Sequence, residues 1–249
     1  MPEQTLRICS LYPDVMNIYA DRGNLTVLEQ RCRWRGIEVE ISGSGSGQTP
    51  DPDAHDLFYL GGGQDRDQEL VAADLVQTKA ESLRRAAARG AVVLGICGGI
   101  QLLGHHYELG DRQIPGLGLL DLTTHRGDGA RLIGNIAIEV ELEPGERRLL
   151  AGFENHGGRT VLGPACQPLG RVLKGHGNDG RSGVEGARQG TVLGTYLHGP
   201  LLPKNAWLAD ELIARGLEHA TGARPALEPL DDEIEDAAHA AAEAAAARG

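Results

Sequence analysis

Positive charge is scarce in this chain: 24 Lys and Arg face 35 Asp and Glu, a net charge of −11 with histidine neutral. Contacts to a phosphate backbone need clustered cations, so a general nucleic-acid binder is excluded. Long apolar runs are missing as well. No stretch reaches the ~18 apolar residues of a membrane span. The opening Met1-Pro2-Glu3-Gln4-Thr5-Leu6-Arg7 has neither the basic start nor the apolar core of a secretory signal. A cytoplasmic location is therefore expected. Only four cysteines occur, at 9, 32, 97 and 166, with no Cys-x-x-Cys pair. That removes the usual zinc spacings and any disulfide framework, and no His and carboxylate set has metal-ligand spacing either, so no metal is expected. Aromatics supply 4% of the residues, whereas glycine supplies 36 of 249, about twice its ordinary share of ~7%. Few aromatics and many glycines point to tight turns and close backbone approaches.

What is present describes a globular protein of one large or two small domains, at ~100–200 residues each. Hydrophobic residues make up 41% and charged residues 24%. Leu6–Leu11 reads as a first strand. Asn24 is the expected N-cap of a helix running to about Arg35 and closed by Gly36. Ile37, Val39 and Ile41 alternate with acids and predict a half-covered strand, followed by a solvated Gly-Ser loop over 42–48. Leu57–Leu60 runs straight into Gly61-Gly62-Gly63. A helical stretch from about Asp67 to Arg89, broken near Thr78, ends at Gly90. Ala91–Ile96 is apolar without alternation, the mark of a strand covered on both faces.

Strand and helix alternating in this order predict an α/β fold, a mostly parallel central sheet flanked by helices. From about 117 to 199 the texture turns to short strands, with Ile136–Leu142, Leu149–Phe153 and Val192–Leu197 as candidates, read as antiparallel strands added to the same sheet. Pro203–His219 is the expected final helix. Residues 231–249 hold nine alanines and six acids, so 1–222 reads as the domain and 223–249 as an acidic alanine-rich tail, helical or partly disordered.

The sharpest feature is Gly95-Ile96-Cys97-Gly98-Gly99-Ile100-Gln101-Leu102-Leu103-Gly104. A buried strand ends at Cys97 and a helical pattern starts at once, which sets the sulfur on a tight strand-to-helix turn flanked by glycines. The N-terminal end of that helix favours thiolate, and the Gly98 N–H is placed to meet an oxyanion. Such a nucleophile needs a base brought near by the fold. Among nine histidines, His105 and His106 lie on the cysteine's own helix, pointing elsewhere. His55, His125, His176, His219 and His239 read as surface groups. His156 and His198 both cap strands. His198, pinned by Gly199-Pro200, is the preferred base, and His156 a residue that shapes the pocket. Gly61-Gly62-Gly63 is followed by Gln64-Asp65-Arg66, which fits neither phosphate-loop spacing; a second oxyanion donor suits it better.

Gly-Gly-Gly after a strand, Gly-Ile-Cys-Gly-Gly-x-Gln-x-Leu-Gly and a strand-ending Tyr-x-His together resemble the class I glutamine amidotransferase domain, in its cobyric acid synthase-like branch, over about residues 6–215. Leu11–Asn24, Gly61–Asp65 and Glu154–Thr160 look more narrowly like glutaminase subunits of lipid II isoglutaminyl synthases. The resemblance implies hydrolysis of L-glutamine to glutamate and ammonia, with no cofactor in this chain. The ammonia would pass to a Mur ligase-like partner, where ATP and magnesium are expected, for amidation of D-glutamate in lipid II. It further implies Cys97 as nucleophile, His198 as its partner and Arg131 as a substrate-binding arginine, with Gly62, Gly63, Gly98 and Gln101 around the substrate.

Many class I amidotransferases follow the histidine with His-x-Glu, but here Pro200 stands two residues beyond His198. The third group would then come from Glu154, Glu185, a backbone carbonyl or the partner. Competing expectations are a free-standing thiol hydrolase of γ-glutamyl compounds and a non-catalytic scaffold subunit.

Overall fold

The computed structural model describes residues 4–17, 22–127 and 129–248. The Ile18-Tyr19-Ala20-Asp21 part of the Leu11–Asn24 motif and the first three residues of the opening stretch lie outside the described residues. Along the chain come β1 (Thr5–Leu11), α1 (Arg22–Trp34), β2 (Glu38–Ser44), β3 (Leu57–Leu60), α2 (Asp65–Asp74), α3 (Ala80–Ala88), β4 (Val92–Ile96) and α4 (Gly98–Leu103). Ten strands follow as β5 (His106–Leu109), β6 (Arg112–Pro115), β7 (Leu122–Arg126), β8 (Leu132–Glu141), β9 (Arg147–His156), β10 (Gly158–Leu162), β11 (Gly170–Lys174), β12 (Val184–Glu185), β13 (Ala187–Gln189) and β14 (Val192–Thr195). The chain closes with α5 (Ala206–Thr221) and α6 (Glu233–Arg248).

The central sheet has the order β13-β14-β4-β3-β1-β2. Its last five strands are mutually parallel, and β13 adds one antiparallel edge. Both faces are covered, and alternation assigns each side chain to one of them. Cys9, Leu11, Phe58, Leu60 and Val93 pack with Val71, Leu75 and Leu83 under α2 and α3. Leu6, Ile8, Leu57, Tyr59, Val92 and Leu94 pack with Leu28, Leu208, Leu212 and Ile213 under α1 and α5. The predicted mostly parallel α/β sheet is present. Strands 117–199 are not simply added to it, however. Apart from β13 and β14 they join β5 and β6 in two further four-stranded sheets, β10-β7-β5-β6 and β12-β11-β8-β9. Their long alternating strands, such as β8, have only one face to bury, so they stack on the core instead of extending it.

Several local expectations change. Asn24 lies within α1, fully buried; its Nδ2 donates to Tyr59 Oη (2.9 Å) and its Oδ1 accepts from Leu202 N–H (2.8 Å). A side chain that ties helix to sheet in the interior outweighs its capping propensity. The 42–48 segment is not a loose loop, because β2 runs to Ser44 and the turn beyond it is held by Lys79 Nζ on the carbonyls of Gly45 (2.8 Å) and Gln48 (2.5 Å). The helix break predicted near Thr78 is a π-turn, Leu75–Lys79. His105 and His106 are off the helix altogether, since α4 stops at Leu103 and β5 begins at His106. The tail forms α6, a second helix after α5, which lies on β8, β9 and the 3₁₀ turn Leu202–Lys204. Among the described residues no helix is long and apolar enough to cross a membrane.

Candidate active site

β4 runs out at Ile96, and Cys97 turns the chain with φ 52° and ψ −108° before α4 starts at Gly98. Such a backbone disfavours any side chain, so a cysteine there is held by its surroundings. One hold is visible: the Cys97 N–H donates to the Thr195 carbonyl at 2.8 Å, across from the end of β14. The neighbouring glycines make the turn possible. A Cβ on Gly99 would collide with the Leu60 carbonyl oxygen, and one on Gly98 would come within 3.1 Å of the Gly63 nitrogen. The Gly61–Gly63 loop, buried at the end of β3, therefore lies directly against the elbow, with the backbone of Gly63 beside that of Gly98. This close approach places two strand-end backbones where their N–H groups can serve one negatively charged oxygen. Helix α2 holds the loop: Gln64 N–H donates to Asp67 Oδ2 (3.0 Å), and Gln68 Nε2 to the Gly63 carbonyl (3.3 Å).

Cys97, 8% exposed, opens into a cavity of about 350 Å³ whose walls include Gly63, Gln68, Gln101, Arg131 and His156. Gln101, on α4, is 4% exposed and donates to Tyr196 Oη at 3.1 Å. Tyr196 Oη in turn meets Thr160 Oγ1 (2.6 Å), which meets Thr124 Oγ1 (2.8 Å), a buried polar chain that fixes the wall. Burial pushes the Tyr196 hydroxyl up to about 12, so it stays protonated. Arg131 stands at the exposed rim, just before β8. Its fork is aimed by Asn155: Nε donates to Oδ1 and Nη2 to the carbonyl, both at 2.9 Å. Gly62 sits within the buried loop, outside the cavity wall.

The two strand-end histidines occupy different places. His198 is 1% exposed, and its backbone pairs with Phe153 of β9 (N–H to carbonyl, 3.0 Å). It follows β14 by three residues, and β14 lies beside β4 with Thr195 opposite Ile96. The topology thus carries Cys97 and His198 off the same edge of adjacent parallel strands. Burial, then the nearby His156 and Lys204, push the His198 imidazole down to about 4, so it is neutral at physiological pH. His156 is 2% exposed and belongs to the cavity wall, stacked on Tyr196 at 3.7 Å. Its Nδ1 donates to the Gly158 carbonyl at 3.0 Å, and Nε2 lies 3.8 Å from Glu154 Oε2.

A family model for CobB/CobQ-like glutamine amidotransferase domains matches residues 7–206. The chain belongs to this family. It is 38% identical over 218 residues to the GatD subunit of the glutamine-hydrolysing lipid II isoglutaminyl synthase of Streptococcus pneumoniae, covering 87% of this chain and 82% of the relative. The GatD subunit of Staphylococcus aureus is 39% identical over 214 residues, with 86% and 85% covered. Cobyric acid synthase of Pelotomaculum thermopropionicum is 41% identical over 157 residues, but these are only 58% of this chain and 29% of that one. Among solved structures, a glutamine amidotransferase of Thermotoga maritima has TM-score 0.53 at 16% identity, covering 96% of this chain and 94% of that one. PurLQS from the same organism has TM-score 0.56 at 22% identity, with 85% and 95% covered. These two bear on the fold, which is that of class I amidotransferases.

As a glutamine amidotransferase the chain is a glutamine-hydrolysing enzyme subunit. Two buried carboxyls lie beneath its site. Glu154 accepts from the N–H groups of His176 (2.6 Å) and Gly177 (2.9 Å). Glu185 accepts from Thr195 Oγ1 (3.0 Å to each oxygen) and from the Tyr196 N–H (2.6 Å), and so braces the segment leading to His198. Complete burial raises Glu185 to about 8. Sequence reasoning missed Gln68, Tyr107 and Asn155 on the cavity wall. Asn155 stands in the quoted Glu154–Thr160 motif and had a signal. Gln68 and Tyr107 had none, because only the packing of α2 and β5 against the elbow brings them in.

Proposed function

We propose that this chain is the glutaminase subunit of an ATP-dependent amidating ligase acting on the peptidoglycan precursor lipid II. The observation that carries the reading is the strained Cys97 opening into a cavity of amino-acid size with a guanidinium fork at its rim. Both GatD relatives, matched over more than four-fifths of their length, support the choice of ligase.

In the proposed cycle Arg131 grips the α-carboxylate of L-glutamine bidentately, which an arginine fork does better than a lysine. Neutral His198 takes the Cys97 thiol proton, and Sγ attacks the carboxamide carbon. The charge on oxygen is met by the N–H groups of Gly98 and of the Gly62-Gly63 loop. The proton on His198 passes to the departing nitrogen, so ammonia leaves and a γ-glutamyl thioester remains. Water then attacks the thioester as His198 accepts its proton; the proton returns to Sγ and glutamate departs. Gln101 fixes the cavity wall beside the substrate. No cofactor is assigned to this chain. ATP and magnesium belong to the proposed Mur ligase-like partner, which uses the ammonia to convert D-glutamate of lipid II to D-isoglutamine, in the cytoplasm.

The test is reconstitution. With the partner, ATP and lipid II, glutamine should support amidation by the wild-type chain and not by Cys97→Ala, while added ammonia restores it. Glutamine turnover by the isolated chain should be slow and should rise when the partner docks, because Pro200 leaves His198 without the carboxylate two residues on. Equal turnover with and without partner would place the imidazole's support in this chain, at Glu154 or Glu185.

A further inference from the structure

Gln68 is 3% exposed, on the inner face of α2, with its amide packed on the elbow. A Cβ on Gly98, the residue after Cys97, would lie 2.9 Å from Gln68 Nε2 and 3.0 Å from its Cδ. The orientation of the amide is fixed by chemistry. The Gly63 carbonyl can only accept, so the group facing it is the NH₂, and Oε1 is turned the other way. That oxygen is buried on the wall of the Cys97 cavity and has no hydrogen-bond partner among the described residues. An acceptor left in this state costs free energy that folded proteins rarely retain without use. His156 Nε2 shares the wall and also lacks a hydrogen-bond partner, but Glu154 Oε2 stands 3.8 Å away from it, whereas Gln68 Oε1 has no such neighbour among the described residues to account for it.

In the cycle proposed above, the N–H groups of Gly98 and of the Gly62-Gly63 loop serve the carboxamide oxygen. A carboxamide also carries two N–H donors on the same planar group. An ester at that position has none, and a carboxylate presents only acceptors. We propose that Gln68 Oε1 accepts a hydrogen bond from the carboxamide nitrogen of bound glutamine, and so selects the amide over the matching ester and over the product acid. The assignment rests on the glutaminase reading above and adds a specificity-determining residue to it. Gln68 would act twice, its NH₂ holding the glycine loop and its oxygen reading the leaving group.

The experiment measures kcat/KM of the full chain and of Gln68→Leu on three substrates: L-glutamine, L-glutamate γ-methyl ester, and 4-carbamoylbutanoate, which lacks the α-amino group. Ammonia or methanol release is the readout. The amide-to-ester ratio should fall roughly tenfold in the variant, the size expected of one lost hydrogen bond. 4-Carbamoylbutanoate should lose the same factor as glutamine. An equal fall on amide and ester would reduce Gln68 to holding the loop and overturn the proposal, as would no change on any substrate. A fall on glutamine alone would move the contact to the α-ammonium and overturn it too. Thermal melting checks that Gln68→Leu folds; Gln68→Met, closer in volume, takes its place if it does not. A wild-type chain inert toward all three substrates would instead sink the glutaminase reading, and this assignment with it.

Discussion

Cys97 carries its side chain at φ 52°, ψ −108°, a conformation that costs a non-glycine residue about 1–3 kcal/mol. Removing the thiol should therefore separate activity from stability. Cys97→Ala and Cys97→Gly should both lose glutamine hydrolysis. Glycine gives back about 0.5–1 kcal/mol to the unfolded chain, yet relief of the strain should still let Cys97→Gly melt at or above Cys97→Ala. Calorimetry of the two variants decides the matter, and an alanine variant clearly the more stable would mean that the elbow is not strained. His198 makes a second separation. Its imidazole is neutral down to about pH 4 in the fold but titrates near 6.5 when unfolded. The unfolded state then binds more protons between pH 6.5 and 4, and this residue's contribution to stability is lost as pH falls through that window. The acid limb of kcat/KM should follow the folded value and lie well below 6.5. His198→Ala should cut turnover by roughly 10²–10⁴-fold, the worth of an acid–base group, with His156→Ala losing less. The reverse order would hand the role to the histidine that lines the cavity.

At the scale of elements, the π-turn between α2 and α3 brings Lys79 back over the turn after β2. Its ammonium is fully buried, 2.9 Å from Asp74 and 4.6 Å from the centre of the Tyr12 ring, while Tyr12 Oη donates to Asp74 at 2.6 Å. These bonds hold Asp74 well below the usual carboxylate range. Lys79→Met should destabilise by about 3–5 kcal/mol, the cost of breaking a buried pair from one side, and Asp74→Asn by a similar amount; denaturant titration measures both. The elements themselves were readable because each buried strand of the parallel sheet lacks polar alternation, as Leu57–Leu60 and Val92–Ile96 do. The inner role of Asn24 and the assignment of β7–β12 to separate sheets were not, since strand pairing between distant segments leaves no local trace. The elbow could be located from Gly-x-Cys-Gly-Gly because its glycines answer a local steric demand. Gln68 could not, because helix packing alone delivers it to the cavity.

At the scale of the whole chain, the acidic tail is fastened ahead of α6 and again midway along it. Arg31, 1% exposed, bonds Asp210 of α5 and Asp232 just ahead of α6 at 2.6 Å each. Farther along, His239 Nδ1 donates to the Lys204 carbonyl (2.8 Å), and Lys204 Nζ to the Gly199 carbonyl (2.9 Å), next to His198. A chain ending at Gly222 should still fold and hydrolyse glutamine but melt at a lower temperature, because Arg31 keeps only one of its two carboxylates. Failure of that shorter chain to fold would make the tail part of the core. The cysteines offer a consequence of another kind. Burial pushes the thiols of Cys9 and Cys166 up to about 11 and that of Cys32 to about 12, while Cys97 opens into the cavity of the site. At neutral pH a small alkylating reagent should thus add one mass label to each native molecule and four to each unfolded one. Counting labels by mass spectrometry would then report the opening of single molecules over time, with no dye or tag attached.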